Sequence, residues 1–312
     1  MEVLDTGRKS YPEDPTRFLD FKRFNSLAGD FVLLEGYYDF RELEKLRGRR
    51  IVHLELEDPN RFVSGDPLFH HVPYEEYFDK VFTICPYTAS WLNAKYGNDK
   101  RVPAFFPFNE TLAPPVREKE FDVIYTGSLL GKSIPQVVKT ISKYRYRCVS
   151  HSDHPLVTDR DASNQRKLEL ISQTRISVVH NLLYLSDRQI KTLHKVDGFR
   201  DNRAYDLVPH NRWLWRLQGS PEVAAPQLKS RVFEAAFSHT LILCRSDPFN
   251  IIETVFEPDK EFIYYEHGRL DEKIREILAN YGDYRPVVKN AYERAMSEYT
   301  TEVFFHRFLK DL

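Results

Sequence analysis

The chain of 312 residues has only three cysteines, Cys85, Cys148 and Cys244, odd in number and far apart. Such a set excludes a disulfide framework and fits a reducing compartment. No apolar run approaches the ~18 residues of a membrane span, so no spanning segment is expected. An excess of one charge is missing too. Forty-five basic residues against 46 acidic give a net charge of −1, which removes the electrostatic ground for a general nucleic-acid binder. Residues 1–15 are charged and polar, unlike a secretory signal, and a cytoplasmic location is expected. There is no GxGxxG, and the run from Gly127 to Gly131-Lys132-Ser133 is one residue short of GxxxxGKS. Dinucleotide-fingerprint and P-loop readings lose their main support.

What is present is a soluble globular composition, 42% hydrophobic and 29% charged, with aromatics at 14%. The length suggests two domains. Short apolar and β-branched runs predict strands over 30–34, 51–58, 80–85 and 101–108, with helices over 41–46 and 89–96 between them. A charged stretch at 111–120 containing Pro114-Pro115 reads as an exposed, semi-rigid linker. Beyond it the pattern restarts. Strands are predicted over 121–126, 146–150, 176–182, 240–244 and 261–265, and helices over 135–144, 163–173, 227–237, 270–280 and 284–298. Such alternation means βαβ units and mostly parallel sheets. Residues 185–226 interrupt the rhythm with a polar, turn-rich insert that carries Trp213 and Trp215. Loops of that length are usually functional or disordered, and the tryptophans favour partial order.

Two segments bear chemistry. In Phe121-Asp122-Val123-Ile124-Tyr125-Thr126-Gly127-Ser128 a buried strand runs into a Gly-Ser turn ahead of a helix. The loop past a parallel strand's carboxyl end faces the ligand crevice, and glycine there lets backbone N–H groups approach a phosphate. In Gln227-Leu228-Lys229-Ser230-Arg231-Val232-Phe233-Glu234 the apolar residues share one helical face, with Lys229, Arg231 and Glu234 near the helix start. Cations there suit a bound anion, and Arg can grip phosphate oxygens with two parallel hydrogen bonds. An exposed helix with an Arg231–Glu234 pair is the alternative reading.

Taken in order, Gly127-Ser128, then Lys229-Ser230-Arg231-x-Phe233-Glu234, then Phe256-Glu257-Pro258 and the closing helices resemble the donor half of a GT-B glycosyltransferase. The nearest likeness is to the glycosyl transferase group 1 family, in its spore-maturation-protein-like branch. The resemblance implies an α/β, GT-B-like fold of two Rossmann-like parallel-sheet domains facing a cleft, the N-terminal one reduced. Residues 1–115 would form the acceptor-side domain, 116–298 the nucleotide-sugar donor domain with its insert at 185–226, and 299–312 a terminal helix packing back on the first domain. Gly127 and Ser128 would line the donor crevice, Lys229 and Arg231 would neutralise the leaving diphosphate, and Glu234 would hold the ribose. The expected donor is a UDP- or GDP-linked sugar, with no other cofactor. The expected acceptor is a glycan or another hydroxyl-bearing molecule.

In the first half, the run from Ile51 to Asp58 places His53, Glu55 and Glu57 on one strand face and Val52, Leu54 and Leu56 on the other. This predicts a half-exposed strand or one whose polar face borders a cleft. Glu57 and Asp58 at its carboxyl end are candidates for the general base that deprotonates an acceptor hydroxyl. The pairs His70-His71 and His151-x-x-His154 show no recognised metal-ligand spacing and read as loop histidines. Asp159-Arg160-Asp161 resembles a DxD pair but reads better as an acidic helix start. No metal is expected. Two alternatives stay open: a degenerate fold of this kind serving as a scaffold, supported by Pro226 and the short first domain, and a DNA-base glycosyltransferase using the Arg-rich insert. Movement of the two halves about the linker is the default expectation.

Overall fold

The computed structural model describes residues 32–35, 48, 50–56, 58, 77–129, 133–185 and 223–312. The helix expected over 41–46, Glu57, the His70-His71 pair, Trp213 and Trp215 lie outside the described residues.

β1 (Val32–Glu35), β2 (Ile51–Glu55), β3 (Lys80–Thr83) and β4 (Arg101–Pro103) form a parallel sheet in that order. Between β3 and β4 runs α1 (Pro86–Tyr96), opened by a proline and closed by Gly97 at φ +61°, a conformation glycine adopts without strain. β2 departs from expectation. All five of its residues are buried, His53 and Glu55 included, and the side chains of these two approach to 3.7 Å. The strand is internal, paired to β1 on one side and β3 on the other, which leaves no edge for solvent.

The second unit contains β5 (Phe121–Thr126), α2 (Ser133–Ile141), β6 (Tyr146–Ser150), β7 (Asp159–Arg160), α3 (Asn164–Ser172) and β8 (Thr174–Val179). It continues with β9 (Leu182–Leu185), β10 (Val223–Pro226), α4 (Ser230–Phe237), β11 (Leu241–Arg245) and β12 (Ile263–Tyr265). Three helices close the chain, α5 (Leu270–Ala279), α6 (Arg285–Glu298) and α7 (Thr301–Phe304), followed by a π-helical turn over Phe305–Leu309. Six strands make one parallel sheet in the order β12-β11-β8-β5-β6-β7. With β5 as the first strand this is the 3-2-1-4-5-6 order of nucleotide-binding doubly wound sheets, whose strand order reverses between β5 and β8. β11 is apolar in four of its five positions and wholly buried, as a strand covered on both faces must be. On one face Leu168, Leu170 and Ile171 of α3 join Val232, Phe233, Ala236 and Phe237 of α4 and Ala291 and Ala295 of α6. On the other, Ile134, Val137, Val138 and Ile141 of α2 pack with Leu270, Ile274 and Ile277 of α5.

β9 and β10 pair antiparallel across the insert, with Leu182 opposite Pro226. Asp159 and Arg160 form the edge strand β7 and do not start a helix. α3 is capped instead by Ser163, whose hydroxyl accepts from the Arg166 N–H.

The two sheets are joined by aromatic rings. Phe108 stacks on Phe237 at 4.0 Å, Phe106 meets Phe233 at 5.8 Å, and one continuous core holds Val52 and Phe82 together with Phe233 and Phe237. The chain's end completes the joint. The Phe108 N–H donates to the Tyr299 carbonyl, the Thr301 N–H returns the bond to the Phe108 carbonyl, and Phe304 packs on Phe82 and Phe105. Within the linker, Lys119 folds inward and its amine donates to the carbonyls of Ser172 and His239.

Candidate functional site

β5 ends at Thr126 and β6 at Ser150, and just beyond these carboxyl ends lies a cavity of about 160 Å³. Thr126, Gly127, Ser150 and His151 form one wall, and the amino-terminal turns of α3 and α4 supply Asn164, Lys167, Arg231 and Glu234. Ligands of open parallel sheets collect in this position, with helix amino termini directed at them.

Arg231 lies across Gly127. A Cβ built on that glycine would stand 2.8 Å from Arg231 Cζ and closer still to Nη2, and the backbone there has φ +119°. Both facts require glycine. The guanidinium is held from the other side by Tyr125, whose hydroxyl accepts from Nη1 at 3.0 Å and whose ring lies 5.2 Å from Cζ. The Tyr125 hydroxyl in turn donates to the Ser128 carbonyl at 3.1 Å. The turn, the strand and the arginine are thus fixed as one piece.

Glu234 is 2% exposed, and one of its oxygens, Oε1, accepts from Lys167 Nζ at 2.9 Å and from the Ser230 hydroxyl at 3.1 Å. The lysine gives the buried carboxyl a counter-charge and a hydrogen bond in the same place. At the cavity mouth His151 Nδ1 and Asp161 Oδ1 are 2.5 Å apart, and Asp161 has φ +53°, a conformation Asp tolerates better than most residues. Asp159 is engaged separately, accepting from the Thr158 hydroxyl at 2.7 Å. The two carboxylates of the DxD-like run therefore have different partners. Among the described residues no group of three or more His, Cys, Asp or Glu is placed to hold a metal ion.

Of the residues singled out in the sequence, the fold brings Gly127, Arg231 and Glu234 into the lining of one cavity. Ser128 is exposed beside it and contributes its backbone carbonyl to Tyr125. Lys229 sits just before α4, its N–H donating to Asn181 Oδ1 at 3.0 Å and its amine to Gln227 Oε1. Asp58 is elsewhere. It has no exposed surface, and its Oδ2 accepts from the Thr83 hydroxyl at 2.6 Å and from Arg101 Nη1 at 2.9 Å. The pair with Arg101 ties the segment after β2 to β4, and the Thr83 bond ties it to β3, so the Asp58 carboxylate is engaged within the first sheet. Lys167, Ser150 and Tyr125 belong to the site and were missed. The signal for Lys167 was its place near the start of a predicted helix that follows a strand, as for Arg231 on α4.

A doubly wound parallel sheet in this strand order, preceded by a smaller parallel sheet, defines the class: a fold of the GT-B glycosyltransferase type. The chain belongs to the glycosyl transferase-like family, whose sequence model matches residues 135–310, more than half of its length. Solved structures share the fold. The pneumococcal O-GlcNAc transferase GtfA, in complex with UDP and GlcNAc, superposes with a TM-score of 0.55 at 11% identity, covering 90% of this chain and 56% of GtfA. Anabaena Alr3699/HepE, in complex with UDP and glucose, gives 0.54 at 10% identity, covering 92% of this chain and 78% of HepE. TarM, known from S. aureus, gives 0.51 at 11% identity, covering 92% of this chain and 56% of TarM. The chain thus spans little more than half the length of two of these three proteins. None of the curated proteins matches it.

Proposed function

We propose that this chain is a glycosyltransferase that moves a sugar from a UDP-linked donor to a hydroxyl acceptor without a metal ion. Its membership of the spore-maturation-protein-like branch is part of the same proposal. The observation that carries the reading is the shared cavity lining: Arg231 laid over Gly127 with Glu234 one turn below on the same helix. UDP is preferred over GDP because GtfA, HepE and TarM are each known with UDP bound.

In this reading the diphosphate lies against the Gly127 turn, where the absent side chain gives the Arg231 guanidinium room to reach it. Arg231 meets its oxygens with paired hydrogen bonds. Lys229 leaves Gln227 to add a second cation. The free oxygen of Glu234 accepts from a ribose hydroxyl, while Lys167 keeps the other oxygen in place. The acceptor oxygen bonds to the anomeric carbon, the bond from that carbon to the phosphate oxygen breaks with its electron pair, and UDP leaves. The acceptor proton passes to a base. Charge grows on the diphosphate as that bond breaks, so fixed cations stabilise the transition state more than the ground state, and loss of one such donor costs about 3 kcal/mol.

Calorimetry and thermal shift with UDP, GDP and CMP test binding, and release of sugar from UDP-glucose and UDP-GlcNAc in EDTA tests the chemistry. Saturation at about 100 times the dissociation constant adds about 2.7 kcal/mol of stability. A flat response to every nucleotide would instead support the scaffold alternative.

A further inference from the structure

The six-stranded sheet has a second and larger cavity, on the face opposite α3 and α4. It lies past the carboxyl ends of β8, β11 and β12, between α2 and the turn into α5, with a volume of about 560 Å³. That is within the size range of small-molecule sites, whereas the first cavity is smaller than that range.

The lining is built around buried polar groups. Arg245, 2% exposed, donates from Nη1 to the Tyr184 hydroxyl at 3.1 Å, and that hydroxyl lies 2.9 Å from His180 Nδ1. On its other side His180 Nε2 meets the Tyr265 hydroxyl. Burial and the nearby Arg245 and Arg231 hold His180 well below its usual pKa, so the ring is neutral. A neutral imidazole has one donor and one acceptor nitrogen. In the tautomer that carries its proton on Nε2, His180 accepts from the Tyr184 hydroxyl at Nδ1 and donates to the Tyr265 oxygen. The last hydroxyl of the chain is left with a proton to give. Tyr265 and Arg245 both line the cavity, with Lys143 and His267 farther round it. The one carboxylate on the described lining, Asp271, is already engaged by Lys143, Tyr144 and Arg275. Asp247, two residues after Arg245, turns into its own loop and accepts from the N–H groups of Phe249 and Asn250.

We propose that this cavity is a binding site for an anionic sugar, a phosphorylated or carboxylated monosaccharide unit, with Arg245 and the Tyr265 hydroxyl as its anchors. Convergent donors with a cation suit phosphate or carboxylate oxygens, and the volume suits one sugar ring with its charged substituent. Binding stands on the cavity alone; the further role as the acceptor of transfer rests on the glycosyltransferase reading.

Calorimetry with glucose 6-phosphate, glucuronate and neutral glucose tests the site, and UDP is titrated separately. At least one of the two anionic sugars is expected to bind saturably, and which one does so identifies the charged group. Neutral glucose is expected to bind at least tenfold more weakly. Tyr265→Phe should weaken the anionic sugar about tenfold or more. Arg245→Gln should weaken it further, and the milder Tyr265 variant keeps the test alive if Arg245→Gln does not fold. Arg231→Ala should leave this binding unchanged. The site is overturned if neither anionic sugar binds, if glucose binds as well as they do, if Tyr265→Phe has no effect, or if Arg231→Ala abolishes binding. Anionic-sugar binding without any response to UDP would sink the glycosyltransferase reading and leave this site standing. UDP binding without it would do the reverse.

Discussion

The guanidinium of Arg231 occupies the space that a side chain on Gly127 would need, although one residue follows β5 and the other lies in the first turn of α4. Gly127→Ala should therefore push Arg231 off the turn and strain a backbone at φ +119°. The expected outcome is at least tenfold weaker UDP binding by calorimetry, with the melting temperature lowered by only a few degrees. Normal affinity in this variant would show that Arg231 does not meet the diphosphate where it now lies.

The Lys167–Glu234 pair should separate stability from binding. Lys167→Met leaves a buried carboxylate with only Ser230 beside Oε1, and is expected to destabilise by about 2–4 kcal/mol, since Lys167 itself is partly exposed. Glu234→Gln should weaken UDP binding about tenfold or more. The double variant Lys167→Met/Glu234→Gln should regain much of the stability lost in the first single change and none of the affinity. Urea unfolding with calorimetry on all three decides it. Recovery of affinity in the double variant would remove Glu234 from the nucleotide site.

Local pattern carried most of this architecture. Phe121–Thr126 reads as a buried strand because four of its six residues are apolar, and α4 because its apolar residues recur on one helical face. Gly127, Arg231 and Glu234 were legible because a turn glycine and a charged helix start are local signals. What local pattern does not carry is pairing across distance. Leu182 meets Pro226 only through the β9–β10 pair, and Lys167 meets Glu234 only because α3 and α4 lie side by side. Asp58 shows the same limit: a carboxylate after a strand looks unengaged until Arg101, 43 residues on, is brought to it. His53 and Glu55 suggested exposure, yet they face each other inside the sheet.

Asp58→Asn should cost about 3–5 kcal/mol of stability, because it removes the carboxylate charge that Asp58 Oδ2 presents to the Arg101 guanidinium, which is 4% exposed. Turnover per folded molecule should change less than twofold at a temperature where the variant is folded. A hundredfold loss of turnover with normal stability would mark Asp58 as the base.

Phe304 lies against Phe82, Phe105 and Phe308 and has no exposed surface. Phe304→Ala should cost about 3–5 kcal/mol. Because the joint between the sheets is a shared aromatic core, calorimetric unfolding of the wild type should show one transition. Two well-separated transitions, only one of them moved by Phe304→Ala, would show that the halves unfold independently.

Asp247 supplies a pH test. It is 3% exposed, and burial raises its carboxyl pKa from 3.8 to about 6, although it accepts the N–H groups of Phe249 and Asn250 and Arg245 lies near. A carboxyl whose folded pKa lies above the unfolded one binds its proton more tightly in the native state. Between about pH 4 and 6 the native state then holds more protons than the unfolded one, and stability falls as pH rises through that window. Above pH 6 the ionised group carries the whole burial penalty, up to about 3 kcal/mol for a shift of this size. Asp247→Asn keeps an oxygen for the two N–H groups and cannot ionise. The variant should match the wild type near pH 4, exceed it in urea-unfolding stability at pH 7, and lose the downward slope between the two. A variant less stable than wild type at pH 7, with the slope unchanged, would show that Asp247 is ionised throughout and that its charge is held by Arg245.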